Sequence, residues 1–206
     1  MSSPPAPARL TDRKRAAILD AAVAEFRHAG YETTSMDRIA ARAGVSKRTV
    51  YNHFPSKEAL FAQILERLWD NSMDGLDLAY RGDRPLRPQL LELVQQKLRL
   101  LHDDNFVDLA RVAIAAAIHS PERAQDMVAR MGVREEGLTV WIRAAAADGR
   151  LKTDDPLFAA MQMQGLVKGF AFWPQITLGL PPLNAAQQKQ VAESAVDMFL
   201  AYYAES

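Results

Sequence analysis

The residues from Ser46 to Phe54, within GVSKRTVYNHFPSKEAL, crowd hydrogen-bonding side chains onto one short element. Lys47, Arg48, the hydroxyls of Ser46 and Thr49, then Tyr51, Asn52 and His53 surround only two large hydrophobes, Val50 and Phe54. Enzyme chemistry has little support here or elsewhere in the chain. The four histidines (His28, His53, His102 and His119) are dispersed, and the sequence has no HExxH, nucleophile-elbow or strand-linked phosphate-loop pattern, so no catalytic residue, metal site or cofactor is expected. Duplex recognition fits the set better. Lys47 and Arg48 can donate to guanine O6 and N7, Asn52 can pair with adenine through two bonds, and the Thr49 methyl can meet a thymine methyl. Tyr51, His53, Ser46 and Lys57 suit phosphate oxygens, joined by the backbone donors at the start of the helix that follows. The sequence leaves each residue open to either a base edge or a phosphate.

The surrounding pattern supplies elements to hold this set. A first helix is expected from a cap at Thr11 to Ala29, stopped by Gly30, with Ile18, Leu19, Ala22, Val23 and Phe26 as its apolar stripe. A second begins after Ser35 and ends at Gly44, turning Ile39, Ala40 and Ala43 inward. The third spans Ser46 to Phe54 and is closed by Pro55. At 100° per residue, Val50 and Phe54 share one side, and Lys47, Arg48, Thr49, Tyr51, Asn52 and His53 take the remaining arc. Ser56 caps a fourth helix running through Ala59, Leu60, Ile64, Leu65 and Leu68 toward Leu76. Two short helices joined by a glycine-containing turn, the second polar on its outer face, make a helix-turn-helix sized for the major groove.

Charge is distributed to match. The chain is neutral overall, yet residues 1–57 carry ten Lys/Arg against five Asp/Glu, a basic head on an acidic body. A mildly basic solvated surface would give the same count. With 206 residues, 49% of them hydrophobic, the chain is long enough for a large domain or for a small one joined to a larger. The absence of cysteine excludes disulfides and thiolate metal sites. The start, MSSPPAPARL, lacks the apolar core of a signal peptide and reads as a flexible arm over 1–10. The longest uncharged run, Gly169 to Gln188, is broken by Pro174, Pro181 and Pro182, so no membrane span is expected and the chain is placed in the cytoplasm.

Beyond the head, a domain of 57–206 follows one of 11–56. Helices are expected over 85–102, 104–119, 121–131, 133–148, 156–173 and 185–204, with Thr153-Asp154-Asp155-Pro156 as a start signal. Between Leu157 and Trp173 the helix is apolar around most of its circumference, through Phe158, Met161 and Phe172 among others, and Gly165 and Gly169 allow close approach of a second backbone. The last helix has two stripes, Val191, Ala195, Phe199, Tyr202 and Ala192, Val196, Leu200, Tyr203. Surplus apolar face on both helices predicts a four-helix interface with a second copy across a two-fold axis. A pocket for a hydrophobic or amphipathic small molecule is expected among Phe106, Trp141, Phe170 and Trp173, with His102, Arg111 and His119 as polar contacts; ordinary core is the other use for these aromatics.

The span from Thr33 to Phe61 resembles the DNA-binding signature of TetR-family transcriptional regulators. The residues that carry it are Ser35, Ile39-Ala40, Ala43-Gly44-Val45-Ser46, Thr49, Tyr51, His53-Phe54, Ser56-Lys57 and Leu60, and Phe26, Gly30 and Tyr31 extend it to about 11–61. The resemblance implies that Lys47, Arg48, Thr49, Tyr51, Asn52, His53 and Lys57 face DNA and that Ser35 and Met36 reach its backbone. Arg38 stands where an acidic residue is common and adds an expected phosphate contact; Arg48 replaces a residue that is often small. Farther on, FVDLARVAIAAAIHSPERAQDM, DGRLKTDDP and GLVKGFAFWP are similar to the C-terminal domain of AefR-like members. Together these imply an all-α homodimer that binds a double-stranded palindromic operator and is released by a small-molecule effector. A DNA-binding regulator controlled by a protein partner, or by no effector, is the alternative.

Overall fold

Residue chemistry at the helix ends explains where most elements begin and stop. The computed structural model describes residues 10–73, 79–122, 125 and 137–205. In chain order the helices are α1 (Leu10–Ala29), α2 (Met36–Ala43), α3 (Lys47–His53), α4 (Lys57–Met73), α5 (Leu86–Leu101), α6 (Asp104–His119), α7 (Gly137–Ala147), α8 (Pro156–Ala171), α9 (Trp173–Leu178) and α10 (Ala185–Tyr203). The bridge between Leu151 and Ala204 is the only β pairing among the described residues. Ser35, Ser46 and Asp155 cap α2, α3 and α8 through their side chains, and Ser56 accepts from the Ala59 N–H at 3.1 Å. Asn184 and Gln187 close a reciprocal capping box on α10.

Two boundaries differ from the sequence expectation. Helix α1 starts at Leu10, so Thr11 lies inside it and does not cap it. The helix expected over 156–173 stops at Ala171. Phe172 leaves helical geometry with φ −138° and ψ −61°, and Pro174, whose fixed φ suits a first turn, opens the separate helix α9. The helix expected over 133–148 is seen from Gly137 to Ala147; the one over 121–131, apart from residues 121, 122 and 125, lies outside the described residues, as do residues 1–9 of the arm, Leu76 and Gly132.

The chain divides into two compact units, Met1–Leu68 with Asp108–Met131, and Trp69–Val107 with Gly132–Ser206. This differs from a division after residue 56, because Leu60, Phe61 and Ile64 of α4 and Leu109 and Val112 of α6 share one buried cluster with Ile18, Phe26, Ile39, Val50 and Phe54. The division therefore falls inside α4 and α6. In the second unit, α10 packs on α5 and α8, and α8 on α7. Its C-terminus is tied to the turn before α8 by the Lys152 N–H donating to the Tyr203 carbonyl (2.8 Å) and the Glu205 N–H to the Arg150 carbonyl (3.1 Å).

A buried glutamine fixes the start of α5. Gln89 accepts from the Arg81 N–H at 2.9 Å and its amide nitrogen lies 3.0–3.1 Å from the carbonyls of Arg81, Arg84 and Pro85. The turn is also held by the Arg84 N–H donating to the Arg81 carbonyl (3.2 Å) and by Arg150 donating to the carbonyls of Gly82 (3.0 Å) and Arg84 (2.8 Å). Gln89→Met keeps the length and removes every polar contact, so it is expected to lower stability by about 1–3 kcal/mol in denaturant unfolding, the cost of stranding buried polar groups.

Candidate nucleic-acid interface

A seven-residue helix has too few internal hydrogen bonds to stand alone, so α3 depends on what it buries. Val50 and Phe54 are 0% and 1% exposed in the core of the first unit. The turn before α3 is set by Gly44, whose φ of 65° lies in the left-handed region and whose N–H closes α2. Ser46 then accepts from the Thr49 N–H at 3.1 Å, and the two hydroxyls lie 2.8 Å apart. With one side fixed inward, Lys47, Arg48, Tyr51 and Asn52 are exposed, and Thr49 and His53 are half-buried. The sequence expectation for this face therefore matches its geometry.

Acidic residues hold several of the head's cations. Glu25, buried on α1, lies 2.7 Å from Arg42 Nε and 2.9 Å from Arg38 Nη2, so Arg38, expected at a phosphate, is aligned by an ion pair across α1 and α2. The Arg42 hydrogen bond, opposed by burial and aided by the charges of Arg38, Arg42 and His28, holds the Glu25 carboxyl below its ordinary 4.5. Asp37 lies 2.8 Å from Lys47, and its hydrogen bond raises the Lys47 ammonium above its ordinary range.

Two residues do something other than what the sequence suggests. Met36 is buried at the first position of α2, so its side chain packs in the core and only its backbone remains for a DNA phosphate. Lys57 directs its ammonium at the carbonyls of Tyr31 (2.7 Å), Glu32 (3.2 Å) and Thr34 (3.2 Å) and sits 4.4 Å above the Tyr31 ring. Its three donors bind the start of α4 to the turn between α1 and α2. Ser35 remains exposed and caps α2 through the Arg38 N–H.

The expected pocket residues do not converge. Trp141 and Phe106 are buried core, Trp141 edge-on to Tyr80 at 5.5 Å and Phe106 beside Phe172 at 6.4 Å. Phe170 and Trp173 are exposed, and His102 ends α5 with its ring 3.2 Å from the Gln188 amide. Arg111, 3.4 Å from Asp108, and His119 belong to the other unit. A small, mostly apolar recess, partly open to solvent, is lined by other residues: Leu93, Val94 and Lys97 of α5, Leu138 of α7, and Met163, Gln164, Val167 and Lys168 of α8. Lys97 is buried among Leu90, Leu93, Val94 and Leu101 on the apolar stripe of α5.

The surplus apolar face is present but narrower than expected. Phe158, Met161, Gly165 and Gly169 lie exposed along one side of α8, and no atom lies within 4 Å of where a Cβ would stand on either glycine. On α10, Tyr202 is 69% exposed and Val191 half-buried, while Ala195 and Phe199 turn toward Ala192 and Val196 and are buried within the chain. Phe172 is likewise buried, and Met198 takes the exposed place beside Tyr202.

A helix-turn-helix of this form, joined to an all-helical second unit, defines a DNA-binding transcriptional regulator. Residues 18–64 match the profile of bacterial regulatory proteins of the tetR family, and residues 88–205 match the AefR-like transcriptional repressor C-terminal domain. The chain belongs to the TetR family. It is similar to a TetR family transcriptional regulator of Pseudomonas syringae pv. tomato str. DC3000, with 56% identity, TM-score 0.86, and coverage of 96% of this chain and 100% of that one. SmeT, the repressor of a Stenotrophomonas maltophilia multidrug efflux pump, is similar in its triclosan complex, with 26% identity, TM-score 0.70, and coverage of 94% and 92%. The activator FasR of Mycolicibacterium smegmatis is 34% identical over 137 residues; the match spans 62% of each chain. Among the described residues no helix is long and apolar enough to cross a membrane.

The Lys57 clamp predicts that Lys57→Ala destabilises the head by about 1.5–3 kcal/mol, read as a lower melting temperature, with little change in the salt dependence of DNA binding. Glu25 gives a pH signature. Its depressed carboxyl contributes stability above pH 4.5, and this contribution is lost as pH falls through the lower folded value. Glu25→Gln is therefore expected to be less stable than wild type at neutral pH, with the gap closing below pH 4.5 in denaturant titrations.

Proposed function

We propose that the protein is a homodimeric, ligand-responsive transcriptional repressor that binds a palindromic operator in the cytoplasm. The observation that carries this reading is the outer face of α3: Arg48, Tyr51 and Asn52 are exposed opposite Val50 and Phe54, which hold the helix to the core. One such helix reads a few base pairs; two, one helical turn or about 34–36 Å apart, read a palindrome. The apolar side of α8 with Met198 and Tyr202 of α10 supplies the face for a second copy. The description of the matching C-terminal profile and the naming of SmeT as a repressor favour repression.

The cavity between α5, α7 and α8 receives the effector, by analogy with a relative that holds triclosan. Helix α4 begins in the first unit and ends in the second, so it is the covalent route by which an occupied cavity shifts the head. Coupling of this kind is about 1–3 kcal/mol and reciprocal, so operator weakens effector binding by the factor by which effector weakens operator binding.

Selection of bound fragments from genomic DNA is expected to return an inverted repeat, and Arg48→Ala or Asn52→Ala to relax preference at individual base pairs by about 1–3 kcal/mol each. Gly165→Trp, at an exposed position, is expected to give a folded monomer in sedimentation that no longer holds the repeat. Fragments without two-fold symmetry, or a Gly165→Trp chain that still dimerises and binds, would refute the dimeric reading.

A further inference from the structure

Two adjacent cations of α3 are held differently. Lys47 Nζ lies 2.8 Å from Asp37 Oδ1 and 3.0 Å from Asp37 Oδ2, so both oxygens of a carboxylate on α2 face one ammonium. The Tyr51 ring, one turn farther along α3, stands 6.0 Å from the same nitrogen, within reach of a cation–π attraction. Arg48, the next residue, is exposed and has no ion pair with another described residue. The side chains of Lys47 and Asp37 are 60% and 61% exposed, so their pair adds little to stability. What it changes is the kind of acceptor that Lys47 attracts.

In a helix-turn-helix the early residues of the second helix meet base edges, while the first helix crosses the phosphate backbone. A bare ammonium at that place is drawn to phosphates, which surround it whatever the sequence. The Asp37 carboxylate offsets that charge and repels phosphate oxygens. It occupies at most two of the three N–H donors of Lys47, so one is left for another acceptor. Guanine O6 and N7 are uncharged acceptors in the major groove and meet no such repulsion. Discrimination then comes from an element that disfavours the wrong partner as well as from attraction to the right one.

We infer that Asp37 is a positioning residue for base recognition: by holding Lys47 it keeps this ammonium off the phosphates and leaves its remaining donor to a guanine edge. The inference rests on the reading of α3 as the helix that enters the major groove. Arg48, with no such partner, keeps its full attraction to phosphates.

The test uses the full chain, a randomised duplex library from which bound sequences are selected, and a short duplex of fixed, unrelated sequence titrated over a range of salt. Wild type is expected to select a guanine at a position where Lys47→Ala relaxes the choice. Asp37→Asn keeps the size and leaves the Ser35 cap in place. It should relax the same position, bind the unrelated duplex about two- to fivefold more tightly, and steepen the salt slope by about one. Asp37→Glu, which keeps the charge, should retain the guanine. Asp20→Asn removes a carboxylate elsewhere on the head, where its partner is Arg67, and should leave every selected position unchanged. Melting curves show which variants are folded, and Asp37→Ser takes the place of Asp37→Asn should the latter unfold. The inference is overturned, with the operator reading intact, if Asp37→Asn keeps the guanine or binds the unrelated duplex no more tightly. It is equally overturned if Asp37→Glu loses the guanine or Lys47→Ala relaxes no position. If wild type selects no sequence at all, the inference fails together with the reading of α3.

Discussion

The burial of Val50 and Phe54 is the constraint on which the polar outer face of α3 depends. Helix α3 is seven residues long, below the length at which an isolated helix is stable in water, so its shape is imposed by the core of the first unit. Once those two side chains are fixed, the 3.6-residue repeat leaves Arg48, Tyr51 and Asn52 no direction but outward. Core packing and the presentation of these side chains are thus the same fact seen from two sides of one helix. The supporting contacts act on its neighbours: Glu25 joins α1 to α2 through Arg42 and Arg38, and Lys57 joins α4 to the turn after α1.

The electrostatics of the head follow from this division of labour. Its basic excess is not a set of loose cations. Lys47 rests on Asp37 and Arg38 on Glu25, so acids of the same unit orient the side chains that a phosphate would later compete for. Lys47 and Asp37 are mostly exposed, and such pairs contribute little to stability in salt. Their value is in direction. A cation pre-aligned by a weak surface pair can be shared with DNA at small cost, whereas Lys57, bound to three carbonyls, is committed to the fold.

Much of this was legible in the sequence. The glycine at 44, the serine caps at 35, 46 and 56, and the proline at 55 are local signals whose meaning does not depend on distant residues, and the helices they delimit appear where expected. Asp155-Pro156 was equally clear. The losses came where tertiary context decides. Met36 looks surface-bound beside a cap but fills the core, and Lys57 reads as a phosphate ligand until the carbonyls of Tyr31, Glu32 and Thr34 are seen to meet it. On α10, two overlapping apolar stripes did not reveal which neighbour would cover Ala195 and Phe199. Aromatic residues are good core fillers, and Trp141 and Phe106, expected at a pocket, are buried in that way.

Native-state hydrogen exchange of the DNA-free protein tests the central claim most directly, because it compares the opening of α3 with that of the core that is held to anchor it. The amides of Val50 and Phe54 donate to Ser46 and Val50 at 3.2 and 2.8 Å and should exchange with the same opening free energy as the buried amides of α1 and α4. Exchange of α3 through a separate, much lower-energy opening, while α1 and α4 stay protected, would mean that the helix takes shape only on DNA and would contradict the account.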